Sequence, residues 1–211
     1  MDLKNLRKSY SKHVIGFNNI PDDPLDFFAD WFKEYLDINK DEANACILST
    51  VSNEGVPSSR VVLLKDIKDN GFVFFTNYNS LKASEMSNNN NVALNFYWPE
   101  LERQVRIVGV SEKTSEEESD NYFKSRPRAS QIGAWASEQS KVIELDYSFK
   151  DIISDIENRF HEKEVKRPCY WGGYCVSPNR IEFWQGRPSR LHNRLVYFLI
   201  NGIWKSERLS P

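Results

Sequence analysis

The segment Ile181–Arg194, I-E-F-W-Q-G-R-P-S-R-L-H-N-R, is the part of the sequence around which the rest is organised. It begins as an apolar strand and continues into a polar stretch with three arginines and one histidine. Cations this close together repel one another unless they face an anion or lie along an exposed edge. Arginine forks, the flat face of Trp184 and the titratable ring of His192 suit a planar, phosphorylated ligand. An exposed basic loop with one buried tryptophan would have the same composition.

Strand-like segments lie on both sides of this stretch. They are rich in β-branched and aromatic residues and are bounded by turn residues such as Asp69-Asn70-Gly71 and Asn201-Gly202, the second of which is a strong hairpin signal. Short strands with tight connections predict an antiparallel meander that forms a barrel within one domain. The predicted strands are Ala45–Val51, Ser58–Lys65, Phe72–Asn77, Val92–Trp98, Arg103–Ser111, Gly173–Val176, Arg180–Trp184, Leu195–Ile200 and Ile203–Leu209.

Helix signals precede and interrupt the strands. Asp23, followed by a proline, caps the first helix; Ser115–Lys124 opens with a capping box, and Tyr147–Phe160 has amphipathic spacing. Ser80 is a further candidate cap, with Lys82 in the first turn. Free N–H groups at a helix start attract anions, so this turn is a candidate phosphate site. The same residues also describe an ordinary capped surface helix.

The composition indicates a globular protein. Of the 211 residues, 13% are aromatic, and 28 Lys and Arg nearly balance 30 Asp and Glu. That balance argues against a general nucleic-acid binder, which has a basic excess. No segment approaches the roughly 20 consecutive apolar residues of a membrane helix, and the polar N-terminus lacks a signal-peptide core. Three cysteines without metal-ligand spacing favour a reduced protein, and we expect a cytoplasmic location.

A second group of phosphate-binding residue types follows the helix Ser115–Lys124. Tyr122, Arg126 and Ser130 are spaced by four residues, but Pro127 favours a turn between them. A converging tyrosine, arginine and serine suit a dianionic phosphate. The sequence has no Walker A motif and no dinucleotide-binding glycine fingerprint. The recurring basic and hydroxyl groups beside aromatics therefore favour a phosphorylated cofactor together with a phosphorylated substrate.

Several motifs, in order along nearly the whole chain, resemble the pyridoxamine 5′-phosphate oxidase family. They are R-V-V-L-L-K (Arg60–Lys65), F-F-T-N-Y-N-S-L-K (Phe74–Lys82), E-R-Q-V-R (Glu102–Arg106), S-R-P-R-A-S-Q-I-G-A-W-A-S-E-Q-S (Ser125–Ser140), W-G-G-Y (Trp171–Tyr174), the segment Ile181–Arg194 and the ending W-K-S-E-R-L-S-P.

The resemblance implies a mainly β fold with flanking helices, a split β-barrel that binds FMN, as a single domain over residues 1–211. An N-terminal arm (about 1–20) and a C-terminal portion for dimerisation and the active site (about 170–211) would belong to it. The implied assembly is a homodimer whose sites draw residues from both subunits. The implied reaction is oxidation of pyridoxamine 5′-phosphate or pyridoxine 5′-phosphate to pyridoxal 5′-phosphate, with oxygen as electron acceptor and hydrogen peroxide as product.

Carried over position by position, the resemblance assigns residues to the cofactor, to the substrate and to catalysis, and none to a metal. The expected FMN contacts are Arg60, Val61, Val62, Lys65, Phe75, Thr76, Lys82, Gln104, Gln139, Ser140, Trp184 and Arg194, the last four from the partner subunit. The expected substrate contacts are Lys65, Tyr122, Arg126 and Ser130 for the phosphate, Arg190 and His192 as the catalytic pair over the ring, and Arg7 and Tyr10 as a lid.

The chain departs from the family pattern at a few positions. Leu81 stands where the family usually has an arginine, which predicts the loss of one cofactor phosphate contact. Asn193 replaces a usual aspartate, and the arm after Tyr10 lacks the usual glycine-arginine character.

Two other function classes fit the same residues less well. One is a related split-barrel flavoprotein such as a flavin reductase, and the other is a protein that binds FMN or pyridoxal 5′-phosphate without turnover. The presence of all the implied substrate residues favours the oxidase over the first, and peroxide release on adding pyridoxamine 5′-phosphate would separate it from the second.

Overall fold

The computed structural model describes residues 3–68 and 71–211, and in this part of the chain nine strands form one sheet. The strands are β1 (Ala45–Val51), β2 (Pro57–Leu63), β3 (Asp66–Lys68), β4 (Gly71–Asn77), β5 (Asn91–Trp98), β6 (Arg103–Lys113), β7 (Trp171–Gln185), β8 (Asn193–Ile200) and β9 (Ile203–Leu209). The main path is β2-β1-β5-β6-β7-β4-β3, and β8 and β9 extend it from β7.

The sheet curls on itself, so that β2 comes into contact with β4. All the ladders are antiparallel, as predicted. The predicted meander is wrong in its connections, because β4 pairs with β7 and β1 pairs with β5. The curled sheet with helices on its outside is the mainly β, split-barrel architecture that the resemblance implies, and that expectation is confirmed.

The C-terminal strands differ from the prediction at one point. The predicted strands Gly173–Val176 and Arg180–Trp184 are parts of the single strand β7. Pro178, which cannot donate to a ladder, is accommodated where the β6–β7 register shifts next to Gly109. The hairpin at Asn201 and Gly202 is confirmed, since both residues have positive φ, 51° and 78°. The predicted turn at 69–71 lies in part outside the described residues.

Five α-helices are found in the described ranges: α1 (Pro24–Ile38), α2 (Leu81–Asn88), α3 (Glu116–Ser125), α4 (Arg128–Ala136) and α5 (Lys150–Arg159). Asp23 caps α1 and Ser115 forms a capping box with α3, as predicted. Ser80 stands at the start of α2, but its hydroxyl donates to the Asn77 carbonyl at 2.7 Å and does not cap the helix. The sequence reading missed α4, which begins directly after the turn at Pro127.

The apolar residues form two clusters that β7 connects. The larger one lies between α1 and the inner face of the sheet, where Phe28, Trp98 and Phe183 are buried. The smaller one joins α3, α4 and α5 to the start of β7 through Phe123 and Trp171. None of the helices in the described parts of the chain is long and apolar enough to cross a membrane.

Candidate functional site

A cavity of about 550 Å³ lies between β4, the start of β7 and the helices α3 and α4. Arg126 ends α3 and Ser130 lies in the first turn of α4, so the break at Pro127 turns both toward one space. The cavity thereby gathers all four residues assigned to the substrate phosphate, together with three assigned to the cofactor. The predicted residues that line it are Lys65, Phe75, Thr76, Tyr122, Arg126, Ser130 and Gln139.

Arg126 carries an unsatisfied donor in this cavity. Its guanidinium lies over the ring of Trp171, 4.5 Å from the centroid. Its Nη1 atom is buried and has no hydrogen-bond partner among the described residues. Burial lowers the pKa of Arg126, against an opposing effect of Tyr122. A buried donor without an acceptor costs about 1–3 kcal/mol, so an anion that reached Nη1 would be bound favourably.

Three aromatic rings form one wall of the cavity. Phe75 stacks on Tyr122 with centroids 3.9 Å apart, and on Trp171 with centroids 5.6 Å apart. Gly173 makes room for this stack, because a Cβ atom there would lie 2.8 Å from Cε1 of Phe75. The second glycine of the W-G-G-Y motif therefore permits a flat apolar wall beside the cationic group.

The ammonium group of Lys82 is buried at the start of α2, next to the cavity. Its Nζ lies 2.9 Å from Oε1 of Gln139 and 3.2 Å from Oγ1 of Thr76, both of which line the cavity. Burial, and to a lesser extent the charge of Arg60, lower the pKa of Lys82 to about 8, against an opposing effect of Glu85. Lys82 is thus a desolvated cation among neutral oxygens, which suits a phosphate group.

Gln139 and Ser140 lie beside the start of α2 in their own chain. Both were assigned to the partner subunit, but Gln139 contacts Lys82 of its own chain, and the Ser140 hydroxyl accepts the N–H of Leu81 at 3.2 Å. The positive φ of Ser140, 72°, turns the chain after α4 toward the start of α2. Their assignment to the partner subunit's FMN site stays a prediction.

The three candidates on β2 lie outside the cavity. The side chain of Arg60 forms an ion pair with Glu85, Nη2 to Oε2 at 3.3 Å. Val62 is buried in the core, so only its backbone is available to a ligand. Val61 lies between them on the outer face of the sheet and is 65% exposed.

A row of candidate residues crosses the outer face. Gln104 on β6 pairs with Trp184 on β7, which pairs with Arg194 on β8, so the three side chains share a face. Gln104 donates through Nε2 to Oδ1 of Asn95 at 2.8 Å. The ladders from β2 to β6 place Val61 on this same face.

A buried carboxylate organises that row. The side chain of Glu182 is 1% exposed and forms ion pairs with Arg106, Arg180 and Arg194. Burial acts to raise the pKa of Glu182, but the hydrogen bonds and charges of Arg106 and Arg194 outweigh it and lower the pKa. One carboxylate among three guanidinium groups leaves this face net positive.

The predicted catalytic pair lies on the loop after β7. Ser189 and Arg190 both have positive φ, 57° and 62°, a strained conformation that clusters at functional sites. The Nδ1 atom of His192 accepts the N–H of Arg187 at 3.1 Å, which assigns the proton of the neutral ring to Nε2. Burial and the charge of Arg190 lower the pKa of His192, so the ring is neutral at pH 7.

The N-terminal arm reaches this loop through one of its two predicted residues. The ring of Tyr10 stands edge-on to Trp184 at 5.7 Å and to His192 at 5.9 Å between centroids. Arg7 is exposed, and its Nε donates to the carbonyl of Lys4 at 3.1 Å. Of the two residues expected to form the lid, Tyr10 reaches the loop and Arg7 does not contact it in this structure.

The cavity and the outer row lie at opposite ends of β7. Trp171 lines the cavity, Trp184 lies in the row, and twelve residues of extended strand lie between them. At about 3.3 Å per residue this is about 40 Å along a straight strand. Neither Arg190 nor His192 lines the cavity of its own chain.

Three residues that the structure places at or near the candidate site, Trp171, Glu182 and Glu102, had no individual role assigned to them from the sequence. Trp171 appeared only as part of a family motif, although it forms the cavity wall. Glu182 and Glu102 were assigned no role, although both are buried carboxylates. A charged residue inside the apolar run I-E-F-W was the available signal for Glu182, since a carboxylate is rarely buried without cationic partners.

Comparison with known proteins gives concordant matches along the chain. Residues 32–159 match the family model described as pyridoxamine 5′-phosphate oxidase. Residues 171–211 match the model described as pyridoxine 5′-phosphate oxidase C-terminal dimerisation region. The chain is 50% identical over 211 residues to the pyridoxine/pyridoxamine 5′-phosphate oxidase of Actinobacillus pleuropneumoniae serotype 5b, with 100% of both chains covered. It is 52% identical to that of Burkholderia mallei, with 99% of both covered.

Two solved structures resemble the fold. PhzG from Burkholderia lata 383, in complex with tetrahydrophenazine-1-carboxylic acid, superposes with a TM-score of 0.89 at 26% identity, covering 97% of this chain and 100% of that one. A pyridoxamine 5′-phosphate oxidase-related, FMN binding protein from Nostoc punctiforme superposes with a TM-score of 0.71 at 15% identity, covering 87% and 97%. The second likeness concerns the fold alone.

Proposed function

The chain belongs to the pyridoxamine 5′-phosphate oxidase family of flavin-binding oxidoreductases, and from that membership we propose its reaction, cofactor and site residues. The substrate is pyridoxamine 5′-phosphate or pyridoxine 5′-phosphate, and the product is pyridoxal 5′-phosphate. The cofactor is FMN and the electron acceptor is oxygen. Pyridoxine 5′-phosphate and oxygen give the aldehyde and hydrogen peroxide, whereas the amine substrate also consumes water and releases ammonia.

The observation that carries the proposal is the anion-binding chemistry of the cavity. Arg126 supplies a buried, unpaired Nη1, and Lys65, Tyr122 and Ser130 line the same space. A phosphate monoester would satisfy that donor and receive hydrogen bonds from the hydroxyl groups. The stacked rings of Phe75 and Tyr122 give the cavity a flat wall of the size of a pyridine ring.

A second set of residues fits the phosphate and ring of FMN. The desolvated ammonium of Lys82 and the N-terminus of α2 suit a phosphate. On the outer face, Gln104 and Arg194 flank the apolar surface of Trp184, which suits a flat polar ring system. When bound, FMN supplies the two-electron acceptor that no amino-acid side chain offers.

The protein's own part in the reaction is positioning and charge stabilisation. Lys65, Arg126 and the hydroxyl groups hold the phosphate end of the substrate, which leaves its reactive carbon in a fixed direction. Neutral His192 offers Nε2–H as a donor, and Arg190 adds a fixed positive charge above the substrate ring. These two groups orient the ring and stabilise negative charge that develops on it.

The two half-sites support a homodimer with shared active sites. The family model that covers residues 171–211 describes a dimerisation region. Because the cavity and the His192 loop lie at opposite ends of β7, a second copy of the chain supplies the loop to each cavity. Each subunit of this dimer is a single domain over residues 1–211. Three cysteines without a disulfide are consistent with a cytoplasmic location.

The proposed function is tested by incubating the purified protein with FMN and either substrate in air. We expect a yellow holoprotein and equimolar formation of aldehyde and hydrogen peroxide. Tight binding of FMN and substrate without peroxide would identify a carrier or sensor and would overturn the assigned activity.

Mixing two inactive variants tests the shared site. Arg126→Ala removes the cavity donor and His192→Ala removes the loop donor. Random re-pairing of equal amounts creates hybrid dimers with one intact site, so about a quarter of the sites regain activity. Absence of recovery after verified subunit exchange would contradict the shared arrangement.

A further inference from the structure

Glu102 is a buried carboxylate beneath the N-terminal arm. We infer that Glu102 is a positioning residue that docks the arm, so that Tyr10 lies against the loop carrying Arg190 and His192. The inference rests on the proposed function, because it gives the docked arm a role in substrate binding.

The carboxylate binds the arm through its backbone. Oε2 of Glu102 accepts the N–H of Ser11 at 2.8 Å and the N–H of Lys12 at 3.1 Å. Oε1 lies 3.4 Å from Nζ of Lys8, and the Glu102 side chain is 2% exposed. Two consecutive backbone N–H groups on one oxygen fix both the position and the direction of the arm.

The ionised state of Glu102 is maintained by these contacts. Burial acts to raise its pKa, but the N–H groups of Lys12 and Ser11 and the charge of Lys8 outweigh it and lower the pKa. The arm residues that provide these donors are themselves exposed. The buried partner is therefore the fixed element, and the arm is the element that it holds.

The backbone of Glu102 is tied to the start of the catalytic loop. Its carbonyl accepts the N–H of Gly186 at 2.8 Å and Nε2 of Gln185 at 3.1 Å. Its φ is +56°, a left-handed conformation that a glutamate adopts at a cost. One residue thus connects the arm on one side with the first residues of the loop on the other.

The docked arm places Tyr10 in tight contact with that loop. A Cβ atom at Gly186 would lie 2.7 Å from Cγ of Tyr10, so the ring rests directly on the glycine backbone. Further along the arm, the His13 carbonyl accepts from Nη1 of Arg187 at 2.9 Å, and the Ile15 N–H donates to Oδ1 of Asn193 at 3.3 Å. These anchors follow one another along the arm at residues 11, 12, 13 and 15. Because Tyr10 precedes all of them, releasing residues 11 and 12 frees the segment that carries it.

The matched variants are Glu102→Gln and Glu100→Gln in the full-length, FMN-loaded protein. Glu100 lies in the same turn, and its carboxylate accepts from Tyr35 and Asn39. It contacts the arm through its backbone carbonyl, which accepts from Nζ of Lys12 at 2.5 Å and which Glu100→Gln leaves in place. The measurements are amide hydrogen exchange of peptides covering residues 8–15, and steady-state kinetics with pyridoxine 5′-phosphate.

We expect Glu102→Gln to accelerate exchange at residues 11 and 12 by about tenfold or more and to raise KM by about tenfold. Turnover at saturation and FMN affinity should stay within about twofold, because Glu102 contacts neither reacting group. Glu100→Gln should leave exchange and KM at wild-type values. Ser11→Pro removes the 2.8 Å hydrogen bond from the exposed side, without risk to the buried turn, and should reproduce the rise in KM.

Wild-type exchange at residues 11 and 12 in Glu102→Gln would overturn the docking role. Faster exchange with unchanged KM in both Glu102→Gln and Ser11→Pro would overturn the positioning role. If the wild-type protein does not oxidise the substrate at all, the proposed function fails, and the exchange data alone then decide whether Glu102 docks the arm.

Discussion

Glu182 Oε1 accepts a hydrogen bond from Nε of Arg194 at 2.9 Å and forms an ion pair with its Nη2, also at 2.9 Å, so one buried oxygen orients the guanidinium group. Glu182→Gln leaves three guanidinium groups around a neutral amide. We expect a loss of about 2 kcal/mol in the free energy of unfolding, since the arginines are partly solvated, and weaker FMN binding because Arg194 loses its orientation. Urea denaturation and a flavin fluorescence titration measure the two effects.

Arg180→Gln is the control for that variant. Arg180 contacts the same carboxylate at 2.6 Å, but it has no assigned ligand role and Glu182 keeps two cationic partners. Its loss should cost less than about 1 kcal/mol and leave FMN affinity unchanged. Equal effects of the two variants would contradict an orienting role for Glu182.

Arg126 and Arg128 lie two residues apart and should respond to alanine in opposite ways. Arg126 has an unpaired buried donor, whereas Arg128 donates to the carbonyls of Phe160 and Lys163. Arg126→Ala should raise KM for the phosphorylated substrate by about a hundredfold with unchanged stability of the apoprotein.

Arg128→Ala should give the reverse result, a loss of about 1 kcal/mol of stability with KM unchanged. Steady-state kinetics and thermal unfolding of both variants test the pair. An unchanged KM in Arg126→Ala would contradict the assignment of Arg126 to the substrate phosphate.

The buried ammonium of Lys82 predicts a pH dependence of FMN affinity. Its pKa is lowered from 10.5 to about 8, whereas a bound phosphate favours the charged form and raises it. Binding therefore takes up a proton above pH 8, and affinity should be constant below that pH and fall by up to about tenfold per unit above it.

The same shift affects the apoprotein. Because the folded pKa is depressed, the neutral form of Lys82 favours folding at high pH, and this contribution is lost as the pH falls toward 8. Lys82→Arg keeps its charge throughout the range. Flavin fluorescence titrations between pH 7 and 10 should therefore show that FMN affinity declines with pH in the wild type, and that Lys82→Arg lacks the decline caused by this position.

Leu81 occupies the first helical position of α2 and is 54% exposed. Leu81→Arg restores the residue that the family usually has there and adds a cation beside the Lys82 group. We expect FMN affinity to rise by about tenfold and the stability of the apoprotein to fall by about 0.5 kcal/mol, because a cation at a helix N-terminus opposes the dipole. Leu81→Gln controls for the loss of the leucine and should change neither by more than about twofold.

The sequence predicted the strands well where local signals specify them. The β1 and β9 bounds match because alternating residues end at clear turns, and the hairpin at Asn201-Gly202 needs only its own two residues. The pairing of β4 with β7 was not predictable, since it joins segments about 100 residues apart through contacts that no local pattern encodes.

The candidate site could likewise be predicted only where local residue types indicate it. Residue types and spacing indicated Arg126 and Lys82 before the family resemblance assigned them to ligands, and the fold added their environment, a missing acceptor for one and desolvation for the other. The contact of Gln139 with Lys82 in the same chain could not be predicted, because the turn at Ser140 depends on a left-handed φ that its sequence does not indicate.

The central place of β7 determines when this protein can fold during synthesis. The pairs β1–β2, β3–β4 and β5–β6 are local hairpins, but β4 gains its long partner only when residues from Trp171 onward leave the ribosome. Until then the edge of β4 that pairs with β7 has unpaired backbone groups and its apolar side chains are uncovered. Closing the intervening loop is slow compared with hairpin formation. The nascent chain is therefore most exposed to aggregation during the translation of its middle third.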